Sequence, residues 1–568
     1  MPHFNCSRWP VGRACIGPIL IAVSICSSGC SSLWPGNAEE MDQAAALKEL
    51  MAAPEPPELI RDATAPHGMR PIEVQGVGVV NGLPGTGGPP DPSRFRDELL
   101  DEIKRHDIPN PNRFLETSET SLVRVRATIP PGARRGDPID IRLLAPKVSR
   151  STDLRGGWLL DTRLRQQQML NRTVRKSDVL AVGTGQVLTR TDFAPGTDDS
   201  LKLEGNILSG GVIQETRKLG LVLKPKYQHA KIASSIAAAI NQRFFFFDGT
   251  TRRGIAKPIE DDFIELDLHP RYRKNINRFM RVVRSISGRA ETSVNQERLA
   301  QLAELLKDPA TATDAALQLE GIGENAVPTL LKGLESDNRE LRFYAAEVLA
   351  YLDRTEAIEP LEEAIRDVPA FRHSALLALE GLQNPKVVDA LLRLTDAASL
   401  EARYGAFCCL RRREDGKRKL VGKPFESFTI YAVPSTAPPT VVASLRESPE
   451  IVLFGKLAPL SLSKPIIGPN GLMLAPDPQR PGQVRISRFQ PKKEDRRVTV
   501  PGSIASVIKG ISDVGGNYGD VITALRDAKD RGDLAEQLAI DPLPKSRRTY
   551  FRNDDDGESN PTKSDPNA

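Results

Sequence analysis

Two stretches in the first half of the chain alternate apolar and polar residues. Residues 122–129 (LVRVRATI) do so from Val123 onward, and residues 137–143 place Ile139, Ile141 and Leu143 on one face. That period of two predicts half-buried strands. Residues 74–80 form an apolar strand interrupted by glycine, which runs into the turn NGLPGTGG at 81–88, and residues 220–224 form another strand. Helical spacing appears at Phe95, Leu99, Leu100 and Ile103 within 95–108, and at Ile232, Ile236 and Ile240 within 231–244.

The pattern changes between residues 295 and 413. This block is rich in Ala and Leu, and its small residues recur about every thirty positions. Ala316, Ala346 and Ala375 are followed by Gly405 and Ala406, while Pro328 and Pro360 recur in step. Each period predicts an Ala-rich helix and a helix opened by Pro, because Pro suits a first turn and Ala permits close helix packing. About four such units resemble HEAT-like repeats, an α-solenoid, near the minimum of about three that can share a core; an ordinary helical bundle is the alternative. Strand patterns return at 427–433 and 450–454, two helices are expected over 503–538, and residues 553–568 read as a charged disordered tail.

Composition narrows this picture. The 568 residues are 39% hydrophobic and 27% charged, a globular balance that excludes a disordered chain and a polytopic membrane protein. The 43 glycines and 45 prolines are in excess of average usage and fit turn-rich β-structure. A net charge of +5 from interspersed residues implies no nucleic acid or other polyanionic partner.

Four of the six cysteines, Cys6, Cys15, Cys26 and Cys30, lie in the first thirty residues. Arg8 and Arg13 precede an apolar run at 16–25, which has the length of a signal-peptide core and is too short to span a bilayer. It ends in SSGC at 27–30, similar to a bacterial lipobox with Ser27 in place of the usual Leu. We read 1–29 as a lipoprotein-type signal peptide, Cys30 as the lipidated residue and 30–58 as a Pro- and Ala-rich tether. An ordinary secretory signal or an uncleaved anchor is the alternative. Cys408 and Cys409 are adjacent, so a disulfide framework is not the stabilising device.

Catalytic motifs are missing. No Lys follows the glycines of 81–88 as a phosphate loop requires, and Asn81 stands where a dinucleotide fingerprint needs its third glycine. The six histidines show no HExxH spacing, and no GxSxG elbow occurs. The sequence therefore predicts no enzyme, cofactor or metal. Arg411–Arg413 with 417–420 reads as a solvated basic linker, and Phe244–Phe247 as a mixture of core and contact aromatics.

Several ordered motifs resemble the bacterial flagellar basal-body P-ring protein family. They are LIRD at 59–62, VQGVGVVNGLPGTG at 74–87, TIPPGARRGDPIDI at 128–141, LRGGWLL at 154–160, LAVGTGQ at 180–186, NILSGGVIQE at 206–215 and the helix at 232–244. IVLFGKLAP at 451–459 and residues 503–539 are similar to the end of that family's sequence. The resemblance covers roughly two-thirds of the chain; the inserted solenoid and the lipidated N-terminus depart from the family.

The resemblance implies an α+β fold: a mixed α/β ring-forming module, residues 59–286 and 425–545, split by an α-solenoid at 295–413. It implies a non-enzymatic subunit of a periplasmic ring around the flagellar rod. Expected partners are copies of the chain, rod and outer-membrane ring proteins and peptidoglycan, with an unidentified protein on the repeats and the membrane reached through the lipid anchor. The glycines Gly76, Gly78, Gly82, Gly85 and Gly87 are candidate subunit contacts, because they let backbones approach closely. The alternative function is an outer-membrane-anchored adaptor lipoprotein that uses its repeats to bind protein outside the flagellum.

Overall fold

A computed structural model describes residues 54–550, except 105–109, 147–148, 172, 195–197, 290–295, 491–493 and 547. The signal segment, Cys30, most of the tether and the C-terminal tail lie outside the described residues.

After a short strand β1 (Thr64–His67), the chain builds an antiparallel barrel from β2 (Ile72–Asn81), β3 (Ser121–Ile129), β4 (Pro138–Leu144), β5 (Trp158–Leu170), β6 (Thr173–Gln186), β7 (Leu188–Thr189) and β8 (Glu204–Ile213). The order is β4-β3-β2-β5-β6-β8, and β8 returns to pair with β4, so the sheet closes; β7 is appended on β8. Closure removes the exposed strand edges. Alternation in β4 turns Ile139, Ile141 and Leu143 inward, where they meet Val123, Val125, Leu164 and Ile207. Strand β2 is buried on both faces. Its Val77 and Val79 sit under Leu99 and Ile103 of helix α1 (Arg94–Ile103), which rides on the outside of the barrel.

The chain then leaves the barrel for a smaller sheet, ordered β1-β9-β13-β12, made with β9 (Leu219–Leu223), β12 (Ala256–Pro258) and β13 (Phe263–Leu266). Helix α2 (Ala230–Arg243) buries Ile232, Ile236 and Ile240 on this unit, and α3 (Ile276–Ser285) adds Phe279, Val282 and Val283. Between α2 and β12 lies a hairpin of β10 (Phe245–Asp248) and β11 (Thr251–Gly254). The four-phenylalanine run therefore leaves a helix and enters a strand: Phe244 is buried, whereas Phe247 is 67% exposed.

Helices α4 (Gln296–Leu305), α5 (Ala312–Ile322), α6 (Val327–Leu334), α7 (Arg339–Tyr351), α8 (Ile358–Asp367), α9 (Arg372–Gly381), α10 (Lys386–Leu394) and α11 (Leu400–Arg412) stack in pairs as a solenoid. The periodic alanines are its spacers: Ala316, Ala346, Ala375 and Ala406 are all buried. The solenoid shares one hydrophobic core with the small sheet, α2 and α3. It is thus welded to the preceding unit.

The last region is a mixed sheet ordered β14-β15-β17-β16-β22, formed by β14 (Val421–Pro424), β15 (Thr429–Val433), β16 (Thr440–Ala443), β17 (Glu450–Phe454) and β22 (Gln537–Ile540). Beside it lies an antiparallel sheet of β18 (Ile466–Ile467), β19 (Leu472–Pro476), β20 (Gln483–Arg488) and β21 (Arg496–Pro501), with helices α12 (Ile504–Asp513) and α13 (Tyr518–Asp530). Strand β17 is buried at every position. One face, through Val452 and Phe454, packs on Tyr404, Phe407 and Cys408 of α11; the other, through Ile451 and Leu453, packs on α12 and α13. Double burial explains its unbroken apolar run.

Two expectations are corrected here. The second C-terminal helix ends at Asp530, and residues 537–540 are a strand that pairs parallel with β16. Arg411, Arg412 and Arg413 are no solvated linker: they finish α11 or cap it, with side chains only 14%, 19% and 9% exposed in ion pairs. Carboxylates brought in from the following sheet make that position a joint.

Candidate functional site

The five glycines divide into two groups. A Cβ on Gly76 would lie 2.4 Å from the Arg163 carbonyl oxygen, and one on Gly78 would lie 2.3 Å from Thr162 Oγ1, both on β5. A Cβ on Gly87 would lie 2.2 Å from the Thr120 carbonyl oxygen. These three let segments of the same chain approach closely. Gly82 and Gly85 are different: they are exposed, adopt φ of +77° and +87°, and have open space where a Cβ would stand. Their left-handed backbone makes the turn that follows β2.

Gly82 also lines a cleft of about 890 Å³ between the barrel and the C-terminal region. Trp158, 49% exposed, and Leu208 line it from the barrel side, and Arg488, Asp495 and Asn517 from the other. Trp158 escaped the sequence reading as a contact residue; its place at the first position of β5, opposite Asn81 and Gln186, leaves its ring at the barrel mouth.

Behind the cleft, the buried carboxylate of Asp192 couples the barrel to α13. Asp192 accepts hydrogen bonds from Thr189 N at 2.8 Å and from Thr523 Oγ1 of α13 at 3.3 Å. Burial pushes its carboxyl up to about 6, against the Thr189 hydrogen bonds. Gly519 permits the approach, since a Cβ there would lie 3.0 Å from Asp192 Oδ2. Arg526 of α13 donates to the Thr191 carbonyl, and Asp520 lies 3.6 Å from Arg488.

All parts of the molecule meet at Glu447, in the turn between β16 and β17. Its backbone N–H donates to Asp140 Oδ2 of β4 at 3.2 Å, and its carbonyl accepts from Ser209 Oγ of β8. Its carboxylate faces Arg411 at 2.9 Å and Arg412 at 3.2 Å on the solenoid, and Lys274 at 3.6 Å just before α3. Burial alone would raise this carboxyl, but Arg412, Lys274 and Arg411 outweigh it and hold it at about 2. Neighbouring Glu450 behaves oppositely. It is 2% exposed, and Arg411 Nε lies 3.1 Å away without hydrogen-bond alignment, so burial prevails and pushes its carboxyl up to about 7. Nothing at 447–450 marks these residues in the sequence; only the distant arginine run hints at partners.

The opposite end of the solenoid is held by Arg278 of α3. Its guanidinium reaches Glu320 of α5 at 2.6 Å and Glu347 of α7 at 2.5 Å, and lies 4.7 Å from the centre of the Tyr351 ring. Tyr272 donates to Glu320 at 2.6 Å and stacks on Tyr351 at 4.7 Å. Burial would lower Arg278, but the two glutamates reverse that and raise it. Cys408 and Cys409 are free and buried, and burial pushes the Cys408 thiol up to about 12, which leaves it unreactive. Among the described residues, no group of three or more His, Cys, Asp or Glu could hold a metal ion, and no helix is long and apolar enough to cross a membrane.

Comparison with known proteins gives this architecture a family context. Residues 59–296 match the flagellar P-ring protein family, and residues 327–411 match HEAT repeats. Similar curated proteins include the flagellar P-ring proteins of Geotalea uraniireducens, 30% identical over 198 residues (33% of this chain, 50% of the relative), and of Photorhabdus laumondii, 27% identical over 247 residues (41% and 62%). The flagellar P-ring protein of Thermotoga maritima is 25% identical over 237 residues (40% and 66%). The chain thus spans about half to two-thirds of the length of these relatives. It carries a P-ring-type region followed by HEAT repeats; the motifs at 451–459 and 503–539 lie beyond the residues the P-ring family matches.

Proposed function

We propose that this chain is a structural, non-enzymatic subunit of a periplasmic ring around the flagellar rod. The observation that carries the reading is the match of residues 59–296 to the P-ring family, over the barrel and the small sheet behind it. A ring requires one surface to meet a different surface of the next copy, repeatedly, until it closes. The exposed turn of Gly82 and Gly85, beside the cleft that holds Trp158, suits one side of such a contact. Gly76, Gly78 and Gly87 serve the fold instead, so the contact role narrows to the turn. The rod, the outer-membrane ring and peptidoglycan are the neighbours such a ring would have. The solenoid stands between the matched region and the C-terminal sheets as an integral part of the subunit, with its outer surface available to a further protein. Cys30 would anchor the chain to the outer membrane by a lipid.

Electron microscopy of basal bodies, with and without this chain, tests the ring. Density around the rod that disappears with the chain is expected, and Trp158→Ala should weaken it. Monomers at every concentration together with unchanged basal bodies would overturn the reading. Incorporation of a fatty-acid analogue into the wild-type chain but not Cys30→Ala is expected; equal label in both would remove the anchor.

A further inference from the structure

A second cleft, of about 580 Å³, lies where the solenoid joins the preceding unit. Its walls come from the end of α2, the segment before α3, the segment after α3, helix α4 and the turn after α5. Four of these segments each bring an arginine: Arg243, Arg271, Arg289 and Arg298. Glu324 is the acidic residue that lines the cleft, and Arg354 already pairs with it.

The arginines are not equally engaged. Arg271 pairs with Asp353 at 2.9 Å, and Arg298 lies 3.7 Å from Glu58. Arg243 and Arg289 have no carboxylate partner among the described residues. Arg289 is exposed, whereas Arg243 is fixed in place: its Nε donates to the Glu320 carbonyl at 2.8 Å, and its guanidinium lies 4.6 Å from the centre of the Phe244 ring. The turn at Gly323, with φ of +85°, makes room for it, since a Cβ there would sit 3.0 Å from Arg243 Cδ. His269 stands on the same wall, held neutral at about 4 by burial and by the charges of Arg271 and Arg243.

Like charges brought together from separate segments repel, and that cost is offset only when something negative completes the set. Guanidinium groups match carboxylate and phosphate oxygens in a two-pronged fashion. A neutral imidazole can add one donor. Contacts with the folded chain account for Arg271, for Arg298, which also donates to Gln318 at 2.9 Å, and for the Nε of Arg243; among the described residues they leave the Arg289 guanidinium and the terminal nitrogens of Arg243 without a carboxylate.

We propose that this cleft binds an anionic group, a multivalent carboxylate or phosphate, with Arg243 and Arg289 as its principal ligands. Because residues from α4 and the α5 turn form part of its walls, the site requires the solenoid. It does not depend on ring assembly.

Titration calorimetry of the whole chain with pyrophosphate and, separately, with citrate tests the site. Saturable binding of at least one probe, one per chain and weakened by added salt, is expected. Arg289→Gln, which removes an exposed side chain that has no carboxylate partner among the described residues, should weaken it about tenfold. Arg243→Gln should weaken it at least as much, with folding checked by circular dichroism. Tighter pyrophosphate binding would assign phosphate as the natural group, and tighter citrate binding would assign carboxylate. Absence of saturable binding for both probes, or affinities unchanged in Arg289→Gln, would overturn the proposal.

Discussion

The solenoid is attached at both ends through arginine and glutamate, and the two attachments differ in kind. At the α3 end, Arg278 sits between two buried glutamates, beneath stacked tyrosines and inside one continuous apolar core. At the α11 end, Arg411 and Arg412 share Glu447, whose side chain is 43% exposed, and face Glu450, which is buried but poorly aligned. The first joint is closed and saturated; the second is incomplete and titratable. Similar residue types therefore give a fixed attachment at one end and a conditional one at the other. The difference arises from how many hydrogen bonds reach each carboxylate.

The sharpest way to break this contrast is to remove Arg278. Arg278→Met leaves Glu320 and Glu347 buried without a counter-charge, which should cost about 3–5 kcal/mol of stability. The triple change Arg278→Met, Glu320→Gln, Glu347→Gln should recover much of that loss, because the uncompensated charges are gone. Urea denaturation of the chain and both variants measures it. Equal stability in Arg278→Met and wild type would show that this joint is not the tighter one.

The second joint should instead reveal itself through pH. The Glu450 carboxyl stands at about 7 in the folded chain, against an ordinary value of 4.5. Between those values the folded chain holds a proton that the unfolded chain has lost, so stability falls as pH rises through this window. At about 1.4 kcal/mol per unit the loss approaches about 3 kcal/mol. Asp192, raised to about 6, acts in the same direction. Glu447, held at about 2, acts oppositely, and its contribution is lost only as pH falls below the ordinary carboxylate range. Glu450→Gln should therefore match wild type near pH 4.5 and exceed it at pH 8, while Arg411 keeps Glu447 at 2.9 Å. Parallel pH–stability curves for the two proteins would contradict the assignment.

The sequence revealed elements more readily than joints, for a physical reason. The period-two stretches at 122–129 and 137–143 became β3 and β4, because one face of each lies inside the barrel. The recurring alanines became the buried spacers of the solenoid, whereas the α+β class with its inserted repeats rested on the family resemblance and agrees with the observed elements. Gly76 and Gly78 were visible as special, but not the direction of their special role, because the strand they accommodate lies more than eighty positions later. The arginines of 411–413 looked solvated for a related reason: Glu447 lies 36 residues beyond Arg411 in a turn, and Glu450 opens a strand whose pattern does not show that it packs beside α11. Residues 537–540 carry only a short apolar pattern after a helix, and pairing with β16 decided their state. Packing partners distant in sequence are thus what pattern alone could not supply.

The smallest expected effect concerns what closes the second joint. After β22 the chain crosses the solenoid: Leu543 packs against the cluster containing Cys408, Arg548 pairs with Glu401 at 2.6 Å, and Tyr550 stacks on Phe371 at 4.7 Å. Phe371 in turn stacks on Phe343 at 4.2 Å, so the strap ends on an aromatic row that runs into the middle of the solenoid. The α3 joint is crossed by the segment before β1, where Leu59 pairs with Ser287 and Arg61 reaches Asp314 of α5 at 2.5 Å, but there the shared apolar core lies beneath the crossing. Tyr550→Ala removes one stacking contact, worth about 1 kcal/mol. A free-energy change of that size multiplies the population in which the strap is open about fivefold, and local opening reads that change at the α11 joint itself. Cys408, buried beside Leu543 and Pro544, is the reporter. Its modification by a thiol reagent, mapped by mass spectrometry, should accelerate about fivefold in Tyr550→Ala and stay unchanged in Phe247→Ala, on the distant hairpin. An unaltered Cys408 rate in Tyr550→Ala would mean that the α11 joint holds without its strap, and the two ends of the solenoid would then differ in electrostatics alone.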